Sequence, residues 1–311
     1  MRAKREPEKR PLLSKRGRHE KGAARPFQTP KKRSKRKKAS RFAKRFFLVS
    51  PILNDTDGKV VISLMNYLLT LAYDGTNYCG FQVQPNGRSV AQTFQDGLEA
   101  VLGCRPDIKG CSRTDAGVHA LGFMLNFHAD TRIPVEKLPL ALNQHLPPDI
   151  RVLAARVVPE DFHARYAAHT KTYLYRIHNS PIDSPFDEKY YTRVPRRLDT
   201  AKMNTAARRF VGKHDFLALC AAGSSAAAHG DTVRTITACG VERKGDEVEI
   251  TVTADGYLYN MVRILAGTLC EVGAGRMQPE AIPGILASRD RHKAGPTLPA
   301  KGLFLKSVEY D

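Results

Sequence analysis

The chain has 311 residues, 42% of them hydrophobic, and carries 50 Lys and Arg against 31 Asp and Glu, a formal charge of +19. Length allows roughly two ordinary domains, and the apolar fraction can bury a core, so a wholly disordered chain is excluded. No apolar run approaches the roughly 18 residues of a spanning helix, so no membrane-spanning helix is expected.

The charge is concentrated at one end. Residues 1–64 hold 21 Lys and Arg against 5 Asp and Glu, whereas residues 65–311 hold 29 against 26. A polyanion bound by the folded part must therefore meet a local basic patch rather than bulk charge. Residues 1–45, densest in the run Lys31-Lys32-Arg33-Ser34-Lys35-Arg36-Lys37-Lys38, lack helical or strand periodicity and read as disordered. Three accounts of residues 1–64 stand open: an arm on RNA phosphates, a transit peptide without an apolar face, or an extension ahead of a natural start at Met65. Met65 stands directly before the first convincing strand, which favours the third.

From Asn66 the pattern predicts a compact α+β protein. Leu68–Tyr73 is a strand ended by the Asp74-Gly75 turn, and residues 76–87 form a loop with exposed-looking Tyr78 and Phe81. Ser89 and Gln92 make a capping box for a helix whose Val90, Phe94, Leu98, Val101 and Leu102 share one face. Strands are predicted at 108–113 and 122–130; in the second, Phe123, Leu125 and Phe127 form the buried face, opposite Met124, Asn126 and His128. A short helix at 134–146 and strands at 151–158 and 169–178 follow, the last with Tyr173, Tyr175 and Ile177 on one face. Helices are predicted at 200–211, 257–272 and 279–288, a small-residue mobile loop at 221–230, a hairpin of 235–241 with 247–253, and a closing strand at 303–309. Similar blocks on either side of residue 165 suggest two halves, 65–165 and 166–311. Cys79, Cys104, Cys111, Cys220, Cys239 and Cys270 form no CxxC pair and no zinc-ligand spacing, and read as reduced thiols of a cytosolic protein.

Three residues stand out as carriers of chemistry. Asp115 lies in a strand connection, between Arg113 and the small pair Ala116-Gly117, whose size lets a ligand approach the backbone. It reads either as a turn aspartate bonding its own backbone or as a functional carboxylate. No second carboxylate is close in sequence, so a paired-carboxylate hydrolase has no local support. Arg263 interrupts an apolar helix and must snorkel to water or find a partner, and Gly267 one turn on leaves room beside it. Tyr173 belongs to a Tyr-x-Tyr strand, where a core residue with a satisfied hydroxyl is the plain reading.

The segment Gly110-Cys111-Ser112-Arg113-Thr114-Asp115-Ala116-Gly117-Val118-His119-Ala120 resembles the active-site motif of the tRNA pseudouridine synthase A family. Collinear matches run through Leu71–Thr76, Gly80-Phe81-Gln82, Asp161–Arg165, Lys171–Tyr175, Thr232–Ile236, Met261-Val262-Arg263 and Gly302–Leu305, covering about residues 65–310. Two positions depart from the family's pattern: Phe81 replaces its common Trp, and Asn260 stands where relatives often carry His. Either change would adjust RNA contacts without removing a reactive group. The resemblance implies the pseudouridine synthase fold, two α+β halves around a central, mainly antiparallel sheet with a basic cleft. It implies isomerisation of uridines in the tRNA anticodon stem-loop, at positions 38, 39 and 40, by a cytoplasmic homodimer with tRNA lying across both subunits. By it, Asp115 is the nucleophile, Arg263 the partner of its carboxylate, Tyr173 the residue packed against the target base, and Arg113 a stabiliser of the flipped-out nucleotide.

That isomerisation breaks the N1–C1′ bond and remakes it through C5 of the same ring. Atoms balance within the substrate, so no cofactor or metal is expected. The chemistry wants a carboxylate at the sugar–base junction, kept ionised by an arginine although the pocket is dry. Attack at C1′, addition to the ring and removal of a sugar proton are all open to it. Arg88, Arg165, Lys171 and Arg234 are candidate phosphate donors, each also readable as a solvated surface charge. Two rival classes are a non-catalytic RNA-binding protein, which leaves Asp115 and Arg263 unexplained, and a metal-dependent nuclease, which lacks neighbouring carboxylates.

Overall fold

The computed structural model describes residues 64–310. The basic extension before them, with each expectation placed on it, lies outside the described residues.

Patterning and caps account for most elements. Strand β1 (Met65–Tyr73) ends at the Asp74-Gly75 turn. Helix α1 (Val90–Leu102) starts at Ser89, whose hydroxyl accepts from the Gln92 N–H at 3.1 Å, and stops at Gly103. Strands β2 (Ile108–Gly110) and β3 (His119–Ala129), helix α2 (Leu138–Asn143) and strand β4 (Ile150–Val158) follow. Next come β5 (Thr170–His178), β6 (Thr192–Arg193), α3 (Thr200–Arg208), β7 (Gly212–Asp215) and the one-turn α4 (Ser225–Ala228). Strands β8 (Val233–Lys244) and β9 (Glu247–Ala254) form a hairpin closed by Gly245 and Asp246. Helices α5 (Met261–Gly273) and α6 (Ala281–Ser288) and strand β10 (Leu303–Glu309) complete the chain.

The strands make one sheet in the order β4-β1-β3-β10-β5-β9-β8-β7, with β2 added to β3 and β6 to β5. Pairing is antiparallel except at β3–β10 and β5–β6, so the expected α+β class with a mainly antiparallel sheet is what the chain adopts. Strands from residues 65–158 lie on one side and those from 170–309 on the other, meeting at β3–β10. In β9, Val248, Ile250, Val252 and Ala254 are buried and their alternates half-exposed, the signature of a sheet covered on one face. Strand β10 sits between β3 and β5, with Phe304 opposite His119 and Leu305 opposite Tyr173. This order brings the chain just before β3 beside the middle of β5, although they are some sixty residues apart in sequence.

Several boundaries differ from the sequence expectation, each for a local reason. The first predicted strand of the active-site segment stops at Gly110 and the second begins at His119. Cys111 N still donates to Met124 O of β3 at 2.8 Å, but beyond it the backbone bonds the 78–81 loop: Phe81 N donates to Thr114 O at 3.1 Å and Gly117 N to Tyr78 O at 3.3 Å. Tyr78 and Phe81, expected to be exposed, are buried; the Tyr78 hydroxyl donates to Asp149 Oδ1 and the Phe81 ring stacks on Phe123 at 4.3 Å. Asn126, expected on an exposed face, is buried because residues 159–165 cover it, its side chain bonding Asn66 Oδ1, Phe162 O and Ala164 N. The predicted 134–146 helix becomes a 3-10 turn and α2, ending where the Asn143 side chain pairs with the Val152 backbone. The predicted 257–272 helix starts only at Met261, because Asn260 takes a left-handed conformation (φ 59°). The 221–230 loop contains α4, capped by Ser224. Strands β6 and β7 are too short to show a period. All six cysteines are free thiols.

Gly267 of α5 faces the 294–299 segment so closely that a Cβ would come within 1.9 Å of Pro296 O. Gly267→Ala is therefore expected to lower stability by about 1–3 kcal/mol, read as a fall in the urea midpoint at unchanged m.

Candidate active site

Asp115 is presented by the Cys111–Val118 loop, which is held at several points. Thr114 is buried, with its hydroxyl hydrogen-bonded to Tyr73 OH at 2.8 Å, and Val118 N donates to Asp115 O at 3.2 Å. Gly80 lets the neighbouring loop lie against it, since at φ +106° its Cβ would stand 2.6 Å from Thr114 O. The Gly80-Phe81 motif of the sequence is thus a support for the aspartate loop, with no ring offered to a ligand.

A cleft of about 710 Å³ opens beside this loop. Asp115 and Arg113 line it with Tyr173 from β5, Lys171 two residues earlier, and Tyr259 and Asn260 from the turn before α5. Asp115 is one-third exposed at its side chain, and Arg113 stands exposed at the cleft. Arg263 lies outside the lining; its Nη1 is 3.9 Å from Asp115 Oδ2. The guanidinium makes its short hydrogen bonds elsewhere, from Nε to Leu298 O at 2.6 Å and from Nη1 to Asn260 Oδ1 at 2.7 Å. The pair is therefore a close charge contact rather than a bidentate fork, with the arginine anchored by two other groups. Burial pushes the Asp115 carboxyl above the ordinary carboxylate range, and the charge of Arg263 pulls it back down.

Tyr173 is buried, its hydroxyl 3.0 Å from Ser112 Oγ and its ring edge-on to Tyr257 at 4.9 Å. Burial raises its hydroxyl far above the usual phenol value, so it stays protonated. Tyr257, expected inside the helix, lies ahead of it, its hydroxyl donating between Lys171 O and Val252 O. Ser112, Tyr257 and Asn260 are supporting residues that inspection of the sequence did not single out for these contacts. Ser112 lies inside the motif, and Asn260 three residues before Arg263 was legible only as a departure from the family's pattern. Among the described residues no group of three or more His, Cys, Asp or Glu side chains converges as a metal-ligand set.

The sequence profile of the family described as tRNA pseudouridine synthase matches residues 70–167 and 206–311. The chain is 44% identical over 247 residues to the tRNA pseudouridine synthase A of Caldicellulosiruptor saccharolyticus, covering 79% of this chain and 100% of that protein. It is 47% identical over 244 residues to the Moorella thermoacetica protein of the same name, covering 78% and 98%, and 46% identical over 243 residues to that of Ruminiclostridium cellulolyticum, again covering 78% and 98%. The chain belongs to the tRNA pseudouridine synthase family.

Proposed function

We propose that this chain isomerises uridine to pseudouridine in the anticodon stem-loop of tRNA, at positions 38, 39 and 40. Asp115 is the nucleophile, Arg263 the charge that favours its ionised form, Tyr173 the wall against the target base, and Arg113 a stabiliser of the extruded nucleotide. The observation that carries this reading is Asp115 facing the cleft with an arginine 3.9 Å from its carboxylate, in a chain of this family.

The target base must leave its stack before its glycosidic bond can be reached, at a cost of a few kcal/mol. Packing on an aromatic ring returns roughly 1–3 kcal/mol. Tyr173 is suited to that by its fixed ring, held through Ser112 and Tyr257. Once N1–C1′ breaks, the free uracil must turn within the cleft to bring C5 to C1′, so a closed wall that retains it and keeps water out matters as much as the carboxylate. Asp115 can enter by attack at C1′, by addition to the ring or by taking a sugar proton; each requires its ionised form. Tyr173→Ala is expected to cut the limiting rate about 10- to 100-fold, while Tyr173→Phe, which keeps the ring, loses less than about tenfold; single-turnover assays distinguish them.

The test is incubation of the protein with unmodified tRNA transcripts carrying single target uridines, in EDTA, followed by detection of pseudouridine. Modified, uncut RNA is expected. Bound but unchanged RNA would select a non-catalytic binder, and cleavage requiring added metal would select a nuclease. The family resemblance also supports a homodimer, a cytoplasmic location and a division into halves 65–165 and 166–311. Among the described residues, no helix is long and apolar enough to cross a membrane.

A further inference from the structure

The four candidate phosphate donors separate by what already occupies them. Arg234 is bound by both oxygens of Asp231, at 2.8 and 3.2 Å. Arg88 donates to Thr93 Oγ1 and lies over the Tyr78 ring, beside a different surface depression. Arg165 and Lys171 both line the cleft, and neither forms an ion pair among the described residues; Arg165 is exposed and lies 5.9 Å from the centre of the exposed Tyr166 ring, a contact that leaves its charge unneutralised. They are close enough for the charge of Arg165 to disfavour that of Lys171. The group nearest to being a counter-charge for Lys171 is the Cys111 thiol, which burial pushes up to about 12, so at neutral pH it is protonated and neutralises nothing. Lys171 is half-buried. A half-buried ammonium beside a like-charged guanidinium is unfavourable unless a ligand supplies the anion.

Position identifies that anion. Lys171 and Tyr173 are two residues apart on β5 and so share a face, about 6.6–6.8 Å apart along the strand. That is comparable to the separation of a nucleotide's base from its own phosphate. We propose that Arg165 and Lys171 together hold one backbone phosphate of the RNA, the one adjoining the uridine extruded against Tyr173. This rests on the reading of the cleft as a uridine-isomerising site, and it makes the pair a two-pronged anchor setting which nucleotide enters the cleft.

The experiment is single-turnover kinetics of the full chain on an anticodon stem-loop with one target uridine, across a salt series. Lys171→Gln and Arg165→Gln should each raise the half-saturating concentration about tenfold while the limiting rate stays within about threefold. The slope of log affinity against log salt should fall by about 0.7–0.9 in the double variant, one phosphate's share rather than two. A neutral methylphosphonate at the phosphate adjoining the target uridine should weaken binding by the unaltered protein, a loss that depends on no variant's fold, and leave the double variant's remaining affinity unaffected. Arg105→Gln, whose guanidinium is paired with Asp96 and Glu99, should change none of these. Wild-type salt slopes in the variants, or equal methylphosphonate losses in variant and unaltered protein, would overturn the phosphate site. Rate loss at unchanged half-saturation would also overturn it, placing the charge on the uracil instead. If the unaltered protein makes no pseudouridine, the functional reading itself fails; if it does while the variants behave as wild type, only the phosphate site fails.

Discussion

Asp115→Asn protein is expected to form no detectable pseudouridine, its limiting rate falling by about 10⁴-fold or more, while its affinity for tRNA changes by less than about threefold. The amide is nearly isosteric and keeps the loop bonds, which run through the backbone and through Thr114 rather than the Asp115 side chain. What it removes is an ionisable oxygen facing the cleft. The same substitution carries a stability signature with a defined sign. Burial places the folded Asp115 carboxyl above its ordinary range, so ionising it is harder in the fold than in the unfolded chain. Its contribution favours the fold below the ordinary carboxylate pKa and is lost as pH rises through the raised value. At neutral pH the native protein bears that cost, and Asp115→Asn should melt higher by roughly 1–3 °C, the difference fading below about pH 4. Higher stability with lost turnover is what a functional carboxylate predicts; a turn aspartate satisfying its own backbone would melt lower when replaced.

Arg263→Lys is expected to lower the limiting rate about 10²-fold near neutral pH and to move the acidic limb of the rate profile upward. The arginine donates from Nε to Leu298 O and from Nη1 to Asn260 Oδ1 while keeping Nη1 3.9 Å from Asp115. A lysine ammonium is a single point and cannot occupy both anchoring positions and face the carboxylate. With that charge displaced, burial acts on Asp115 with less opposition, its pKa rises further, and a larger fraction is protonated at a given pH. Raising pH should therefore restore part of the lost rate in the variant and less in the native protein. Near-normal turnover of Arg263→Lys across about pH 6–8 would remove Arg263 from the mechanism.

The sheet strands with clear alternation, such as β9, and the capped helix α1 were legible because burial pattern and cap chemistry are local. Where the sequence misled, a distant segment had overridden the local pattern. Asn126 looked exposed by alternation and is buried because residues 159–165 cross that face. Phe81 looked available to RNA and instead packs on Phe123, because Gly80 folds its loop against the aspartate segment. At the candidate site, the motif around Asp115 was conspicuous and the lone Arg263 in an apolar run was physically conspicuous too. Their proximity was not readable from spacing, since it depends on the late strand β10 inserting between β3 and β5 and on the 294–299 segment gripping Arg263. Asn is among the few non-glycine side chains that tolerate the left-handed conformation, but that Asn260 adopts it here, delaying the helix and receiving the arginine, depends on that tertiary arrangement.

The most direct measurement is pseudouridine mapping at nucleotides 38–40 of a tRNA transcript incubated with native and with Asp115→Asn protein at matched fractional binding. The expected result is conversion by the native protein and none by the variant although both hold the RNA equally. Conversion by the variant at a rate within about tenfold of native would contradict the assignment of the chemistry to this carboxylate.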